Sequence, residues 1–315
     1  MVDITVVGGG LAGLAACATL EAQQIDYRLI EVKGVLGGSI QTVRYEETLI
    51  DTGIFAFDEA EKNALEQGLG LEDAFFPINR GFAFKQGSVV LIDHFRKQIQ
   101  QPILYRMAVS SVGYEDGDYL LCLENGMLLN SKAILLAVPA RYLERMFYGY
   151  IPELSEIFRS FYYDYLMRVN LIYEEEKGQI PDSMPPSMDI PFLYWTDSAY
   201  RVAAGHLLMQ LGVRVFDHFN EVQILESIRR SFGFEHAPVY SHMSLWREAD
   251  LMSPLGSDHG QQMEAIKQLL PEGIAICGSD FRQNPSFPKG LGRVMSRIEE
   301  AQAESLRLIE YIKRT

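Results

Sequence analysis

Three glycines define the chemistry within reach of this chain. Gly8, Gly10 and Gly13 fall at the spacing G-x-G-x-x-G in ITVVGGGLAGLAA, residues 4–16. An apolar β-branched run precedes them and a helix of small residues follows. Gly8 permits a tight turn, Gly10 lets the backbone approach a diphosphate, and Gly13 lets helix and strand pack closely. Leu11 and Ala12 open the helix, whose free N–H groups carry a partial charge of roughly +0.5 and favour an anion. Glu31 stands roughly twenty residues on, where an acid accepts from ribose hydroxyls and repels a 2′-phosphate. The pattern predicts an adenine dinucleotide other than NADP. NAD and FAD both remain open on these residues.

The elements that must position these residues follow from the pattern around them. A strand at 3–7, a glycine turn at 8–10, a helix at 11–22 and a strand at 26–31 make a βαβ unit, and hence a parallel sheet. Residues 59–75 and 91–100 read as helices, and Phe82 to Val90 as strands. In 103–138, EDGD and ENG are turn signals between short strands, so a three-stranded meander is expected, ending in the buried strand AILLAV. Beyond Pro139 the chain turns rich in Tyr, Phe, Met and Pro, which suggests a second domain built mainly of strands. The proline-rich stretch 180–191 reads as a lid or a connector. An amphipathic helix at 219–232, a helix from 261, a strand within 273–280 and a last helix from 291 complete the chain. The ending resembles a return to the first domain. The fold class expected is α/β, Rossmann-like, with a parallel sheet plus the meander and an interleaved α+β second domain. The first domain takes 1–58, 91–140 and 261–315; the second takes 59–90 and 141–260.

Composition narrows the partners. The chain has 315 residues, 48% of them hydrophobic, and a net charge of −14. That charge repels nucleic acid and anionic membrane surfaces. The cysteines Cys17, Cys122 and Cys277 are scattered in apolar surroundings, which argues against disulfides or a zinc site. No metal cluster or Ser-His-Asp set is visible among the six histidines. No basic leader precedes the first strand, and no apolar run is long enough to span a bilayer, so a cytoplasmic protein is expected.

The segment after Glu31, VKGVLGGSIQTVRYEETLIDTGIFAF, resembles the flavin-containing amine oxidase and protoporphyrinogen oxidase superfamily, with renalase-like proteins its short members. Val32, the Gly37-Gly38 doublet and Ser39 match its diphosphate-binding stretch, and Asp51-Thr52-Gly53 its acid-x-Gly segment. Gly53 and Ile54 would then lie beside the flavin, and Val109 would meet the adenine. LLAVPARYLERMF and SLWREADLM resemble further family segments. ICGSDFRQNPSFPKGLGRVMSRIEEAQAESL resembles its C-terminal flavin-binding strand, loop and helix. Gly278 and Asp280 match the pair near the ribityl chain. Leu291, Gly292 and Arg293 would open a helix whose dipole stabilises negative charge on the reduced ring. The resemblance implies FAD. The family's covalent cysteine has no counterpart here, so the cofactor is expected to be non-covalent. Two positions where the family carries arginine are Val35 and Ser39, which leaves the diphosphate to backbone N–H groups and the helix end.

Flavin chemistry needs no side-chain nucleophile. The expected activity is hydride transfer from a small planar substrate, such as an amine or dihydropyridine, to flavin N5. Oxygen or another acceptor then takes the electrons. An oxygen-avoiding dehydrogenase or desaturase of the same fold, and a non-enzymatic flavin-binding protein, are the alternatives. Phe57, Tyr165, Tyr194 and Trp246 are the pocket candidates. No residue is assigned to the chemical step itself.

Overall fold

The structure is a computed structural model that describes residues 1–174, 189–215, 220–252, 259–281 and 293–315. In chain order, β1 (Val2–Val7), α1 (Leu11–Ala22) and β2 (Tyr27–Glu31) form the expected βαβ unit. A hairpin of β3 (Thr42–Tyr45) and β4 (Thr48–Asp51) follows, then α2 (Glu59–Leu69) and a second hairpin of β5 (Phe75–Ile78) and β6 (Gly81–Phe84). Next come α3 (Val89–Arg96), β7 (Ile103–Tyr105), β8 (Val109–Glu115), β9 (Asp118–Leu123) and β10 (Leu128–Leu136). The chain continues through α4 (Ala140–Phe147), α5 (Pro152–Arg159), β11 (Tyr162–Glu174), β12 (Phe192–Thr196) and β13 (His206–Val215). It ends with α6 (Glu221–Phe232), β14 (Tyr240–Met252), α7 (His259–Leu269), β15 (Ile274–Ile276) and α8 (Val294–Arg314).

The first sheet runs β7-β2-β1-β10-β9-β8, with β15 pairing the upper half of β10. β7, β2, β1, β10 and β15 are mutually parallel, while β8 and β9 close the meander antiparallel. Helices cover both faces, so the central strands are continuous apolar runs rather than alternating ones. Helix α1 is apolar on every side because it is sandwiched between the sheet and α8. α4, α5 and α7 cover the other face.

The second sheet is antiparallel, ordered β12-β13-β11-β14. Its strands alternate with period two. Met167, Val169, Leu171 and Tyr173 pack with α6 through Ile224, Ile228 and Phe232. Leu166, Arg168, Asn170 and Ile172 take the opposite face, toward Phe55 and the β3–β4 hairpin.

Several local expectations shift. The helix expected over 59–75 stops at Leu69, where Gly70 turns left-handed at φ 63°. The strand expected from Phe82 ends at Phe84, and Val89 and Val90 open α3 instead. An apolar run of that length has no period that separates strand from helix, and burial of Leu91, Ile92 and Phe95 decides it. β7 stands apart from the meander, beside β2. Leu65, Phe75 and Phe84 join the core of the first domain, although 59–90 reads from the sequence as part of the second. Residues 180–188 of the proline-rich stretch lie outside the described residues. Among the described residues no helix is long and apolar enough to cross a membrane.

One buried ion pair joins the β3–β4 hairpin to the connection between β12 and β13. Arg201 Nη1 donates to Asp51 Oδ2 at 3.0 Å, with the side chains 1% and 0% exposed. The other Asp51 oxygen accepts from Ser88 N at 2.7 Å and Thr42 Oγ1 at 2.6 Å. Removing one partner strands the other charge, so Arg201→Met or Asp51→Asn should each cost roughly 3–5 kcal/mol. Urea unfolding of both single variants and the double variant checks this. The double should lose clearly less than the sum of the singles, because the two residues act as one unit.

Candidate functional site

The parallel strands of the first sheet end together, and their carboxyl ends are where a ligand binds in an open α/β sheet. Gly8 follows β1 at φ +103°, and a Cβ there would lie 2.5 Å from the Ala137 carbonyl oxygen beyond β10. A Cβ on Gly13 would lie 1.8 Å from the Gly8 carbonyl oxygen, so only glycine allows α1 to approach the turn. Gly9 N donates to Glu31 Oε2 at 2.7 Å, and Lys33 N donates to Glu31 Oε1 at 2.7 Å. Glu31 is thereby fixed, 4% exposed, beside the turn it was expected to serve.

Gly10 behaves differently from its neighbours. A Cβ on it would meet nothing closer than the Gly38 Cα at 4.0 Å. Its φ of −77° is open to any residue. Among the described residues no packing demands glycine here. Gly10 caps α1 without a side-chain hydrogen bond, and the first turn carries no acid. The N–H groups at Leu11 and Ala12 therefore present the positive end of the helix there.

The doublet closes the opposite side. Gly37 N donates to the Gly9 carbonyl at 2.7 Å, and a Cβ on Gly38 would lie 3.2 Å from the Gly10 Cα. Gly53 stacks next, because a Cβ there would lie 2.3 Å from the Ser39 carbonyl oxygen. Three glycine segments thus pack backbone against backbone beside the start of α1. Ile54 is buried beyond Gly53, and its carbonyl accepts from Ser88 Oγ at 2.7 Å. Val32 is exposed at the rim and Val109 buried at the end of the sheet, where Met107 N donates to the Glu31 carbonyl.

Sequence reasoning missed the cation at this rim. Lys33 Nζ donates to the Gly38 carbonyl at 3.2 Å, two residues before Val35 and beside the doublet. Arg106 lies against Gly34 of the same loop. A lysine displaced from the family's arginine positions has no spacing signal of its own, and only the folded loop returns it to the slot.

At the far end, just after β15, Gly278 adopts φ +134°, and among the described residues nothing lies within 4 Å of where its Cβ would be. Asp280 is 2% exposed, and its Oδ2 accepts from Ala140 N at 3.0 Å and Tyr163 Oη–H at 2.5 Å. This carboxylate caps α4. Leu291 and Gly292 lie outside the described residues. Arg293 N and Met295 N both donate to Glu61, at 2.6 and 2.7 Å, so a carboxylate from α2 occupies the start of α8. The helix end expected to serve the ring is already neutralised by a side chain.

The pocket candidates divide. Tyr194 and Trp246 pack with Phe55, Leu166 and Phe192 on the sheet face toward the slot. Burial pushes the Tyr194 phenol above its ordinary value, with Arg80 partly offsetting it, so it stays a neutral hydrogen-bonding group. Phe57 does not belong here. It is 2% exposed and packs edge-on against Phe75 and Phe84 in the first core. Its neighbour Phe55 takes the place expected of it, 5.1 Å from the Phe192 ring. Tyr165 also falls elsewhere. It pairs with Val215 on the α6 face of the sheet and lies under Arg247. Period-two alternation separates it from its neighbour Leu166, whose side chain reaches the site.

Cys17 and Cys277 are buried in the core under α1 and α8. Burial pushes the thiols of Cys17 and Cys277 well up, and both stay protonated. Among the described residues no cluster of His, Cys, Asp and Glu could hold a metal ion.

Known proteins share this fold. Residues 6–67 match the NAD(P)-binding Rossmann-like domain. A coproporphyrinogen III oxidase of Bacillus subtilis (strain 168) is 35% identical over 77 residues, a stretch covering 22% of this chain and 16% of that protein. The chain therefore matches only a small part of that relative's length. Solved structures match over nearly the whole chain. A putative protoporphyrinogen oxidase from Exiguobacterium sp. 255-15 superposes with a TM-score of 0.73 at 13% identity, covering 99% of this chain and 98% of its own. Cyclohexylamine oxidase from Brevibacterium oxydans IH-35A gives 0.73 at 12%, covering 99% of each chain. The fold is the one these oxidases share.

The contrast between Gly10 and Gly13 is testable. Gly10→Ala should leave the ligand-free protein within about 1 kcal/mol of wild type, because the cap and chain-entropy effects oppose each other. It should still weaken binding of added FAD about tenfold or more, on the scale of a lost hydrogen bond. Gly13→Ala should destabilise the protein itself by about 1–3 kcal/mol. Thermal melting and cofactor titration separate the two.

Proposed function

We propose that this chain is an FAD-dependent oxidoreductase that oxidises a small planar organic substrate. The backbone slot formed by Gly8–Gly13, Gly37–Gly38 and Gly53 carries the reading. A nicotinamide dinucleotide needs only the first of these segments. Here the doublet and Gly53 pack beside the first segment, and the aromatic side chains of the second sheet lie on the face toward Phe55, which supports a cofactor that uses all three segments. The family resemblance and the fold shared with oxidases point the same way.

The residues divide the work. The N-terminus of α1, with Lys33 at the rim, holds a diphosphate, and Glu31 accepts from ribose hydroxyls. Gly278 leaves room along the slot for a polyol chain. FAD, when bound, supplies an N5 that takes a hydride from a substrate C–H, and the accompanying proton leaves an adjacent N–H or O–H for solvent. Tyr194 and Trp246, half-buried over the Phe55–Phe192 pair, would orient a planar substrate and exclude water. An amine or a dihydropyridine fits that face, with oxygen or another acceptor reoxidising the cofactor.

The visible spectrum of the purified protein tests the proposal. Flavin absorbance is expected, with the colour passing into the filtrate once the polypeptide is denatured and removed, as non-covalent FAD requires. Anaerobic addition of planar amines or dihydropyridines should then bleach the bound flavin. A colourless protein that fails to bind added FAD, or one that binds NAD in its place, would overturn the reading.

A further inference from the structure

A flavin that accepts a hydride gains negative charge, and a protein that favours the reduced state must hold positive charge near it. Among the described residues, a carboxylate already takes two N–H groups at the start of α8. Glu61 Oε2 accepts from Arg293 N at 2.6 Å and Oε1 from Met295 N at 2.7 Å. A full negative charge outweighs the roughly half-unit positive charge of a helix end. Glu61 is 8% exposed, so solvent does little to screen it.

A different cation adjoins the slot. Arg168, in the middle of β11, is 4% exposed. Its Nη1 donates to the carbonyl oxygens of Ser39 and Thr52, the residues next to Gly38 and Gly53. One guanidinium nitrogen therefore ties the doublet to the acid-x-Gly segment. Its Cζ lies 3.6 Å from the Trp246 ring centroid, a cation–π contact that holds the plane in place. A guanidinium keeps its charge at every working pH.

We propose that Arg168 is the positioning residue of the site. Its fixed charge, rather than the end of α8, favours the reduced cofactor, and its hydrogen bonds lock the two flavin-facing segments together. The proposal rests on the flavin reading above. It extends that reading by naming which charge sets the redox balance.

The test is the two-electron midpoint potential of FAD bound to the full chain, measured by anaerobic titration against reference dyes. Wild type, Arg168→Met, Arg168→Lys and Glu61→Gln are compared. Arg168→Met should shift the reduced-to-oxidised equilibrium about tenfold toward the oxidised form, a fall of about 30 mV. Arg168→Lys should keep the potential but bind FAD more weakly, since an ammonium loses the flat stacking of the guanidinium on Trp246 that holds the contact in place. Glu61→Gln should raise the potential. A wild-type potential in Arg168→Met overturns the proposal, as does a potential in Arg168→Lys that falls with it. If Arg168→Met does not fold, Arg168→Gln takes its place, and a wild-type potential there overturns the proposal. Failure of the wild type to bind FAD would instead defeat the flavin reading, and that is seen before any variant is made.

Discussion

The Asp51–Arg201 pair is the constraint on which the rest of the site depends. Two charges leave water completely, and such burial is tolerated only when every partner is in place. Here Asp51 bonds the β3–β4 hairpin through Thr42, the approach to α3 through Ser88, and the second sheet through Arg201. Gln210 adds a bond from β13 to the Asp51 carbonyl. Thr52 and Gly53 follow directly. The segment that walls the slot is thus held from both domains at once, and its position cannot drift without stranding a charge.

The slot itself has little side chain. Backbone walls suit a diphosphate, because N–H groups bind it without the entropy of ordering long side chains. The choice matters more in a chain of net charge −14, where the average field repels an anion. Local positive ends overcome that field because solvent screens distant acids within about 8–10 Å while the near contacts stay strong. The start of α1, Lys33 and Arg168 are such local positive ends. Glu61 works in the opposite sense at α8, so the charge balance around the slot is set by a few short-range contacts and not by the net charge.

The second sheet shows how one strand divides its labour. Residues of one parity build a core against α6, and residues of the other face the slot. Polar groups on the slot side, Arg168, Asn170 and Gln210, are buried among apolar ones and hydrogen-bonded to backbone or to each other. That mixture is costly in an ordinary core and is found where a structure must fix geometry. Phe55, Phe192 and Trp246 supply the apolar share of the same face.

Much of the glycine framework was legible in the sequence, because it depends on local chain geometry. Gly8, Gly13 and Gly37 have no room for a side chain, and a glycine motif followed at the right distance by Glu31 specifies a strand, turn, helix and strand by itself. The parallel sheet and the return of the C-terminal helix to α1 follow from the apolar runs that such a sheet needs on both faces. The substrate face was not legible in the same way. Phe55 and Phe57 sit in one short segment, and Tyr165 and Leu166 are adjacent. Which of each pair reaches the site depends on strand parity and on what packs against each face, and a sequence without a known register leaves both free. Lys33, Glu61 and Arg168 are further cases, since each acts on a group distant in the chain or displaced from its expected position. Local backbone demands were written in the residues themselves; the pairing of charges and the choice of faces arose only when the two sheets came together, because those are properties of contact and not of sequence neighbourhood.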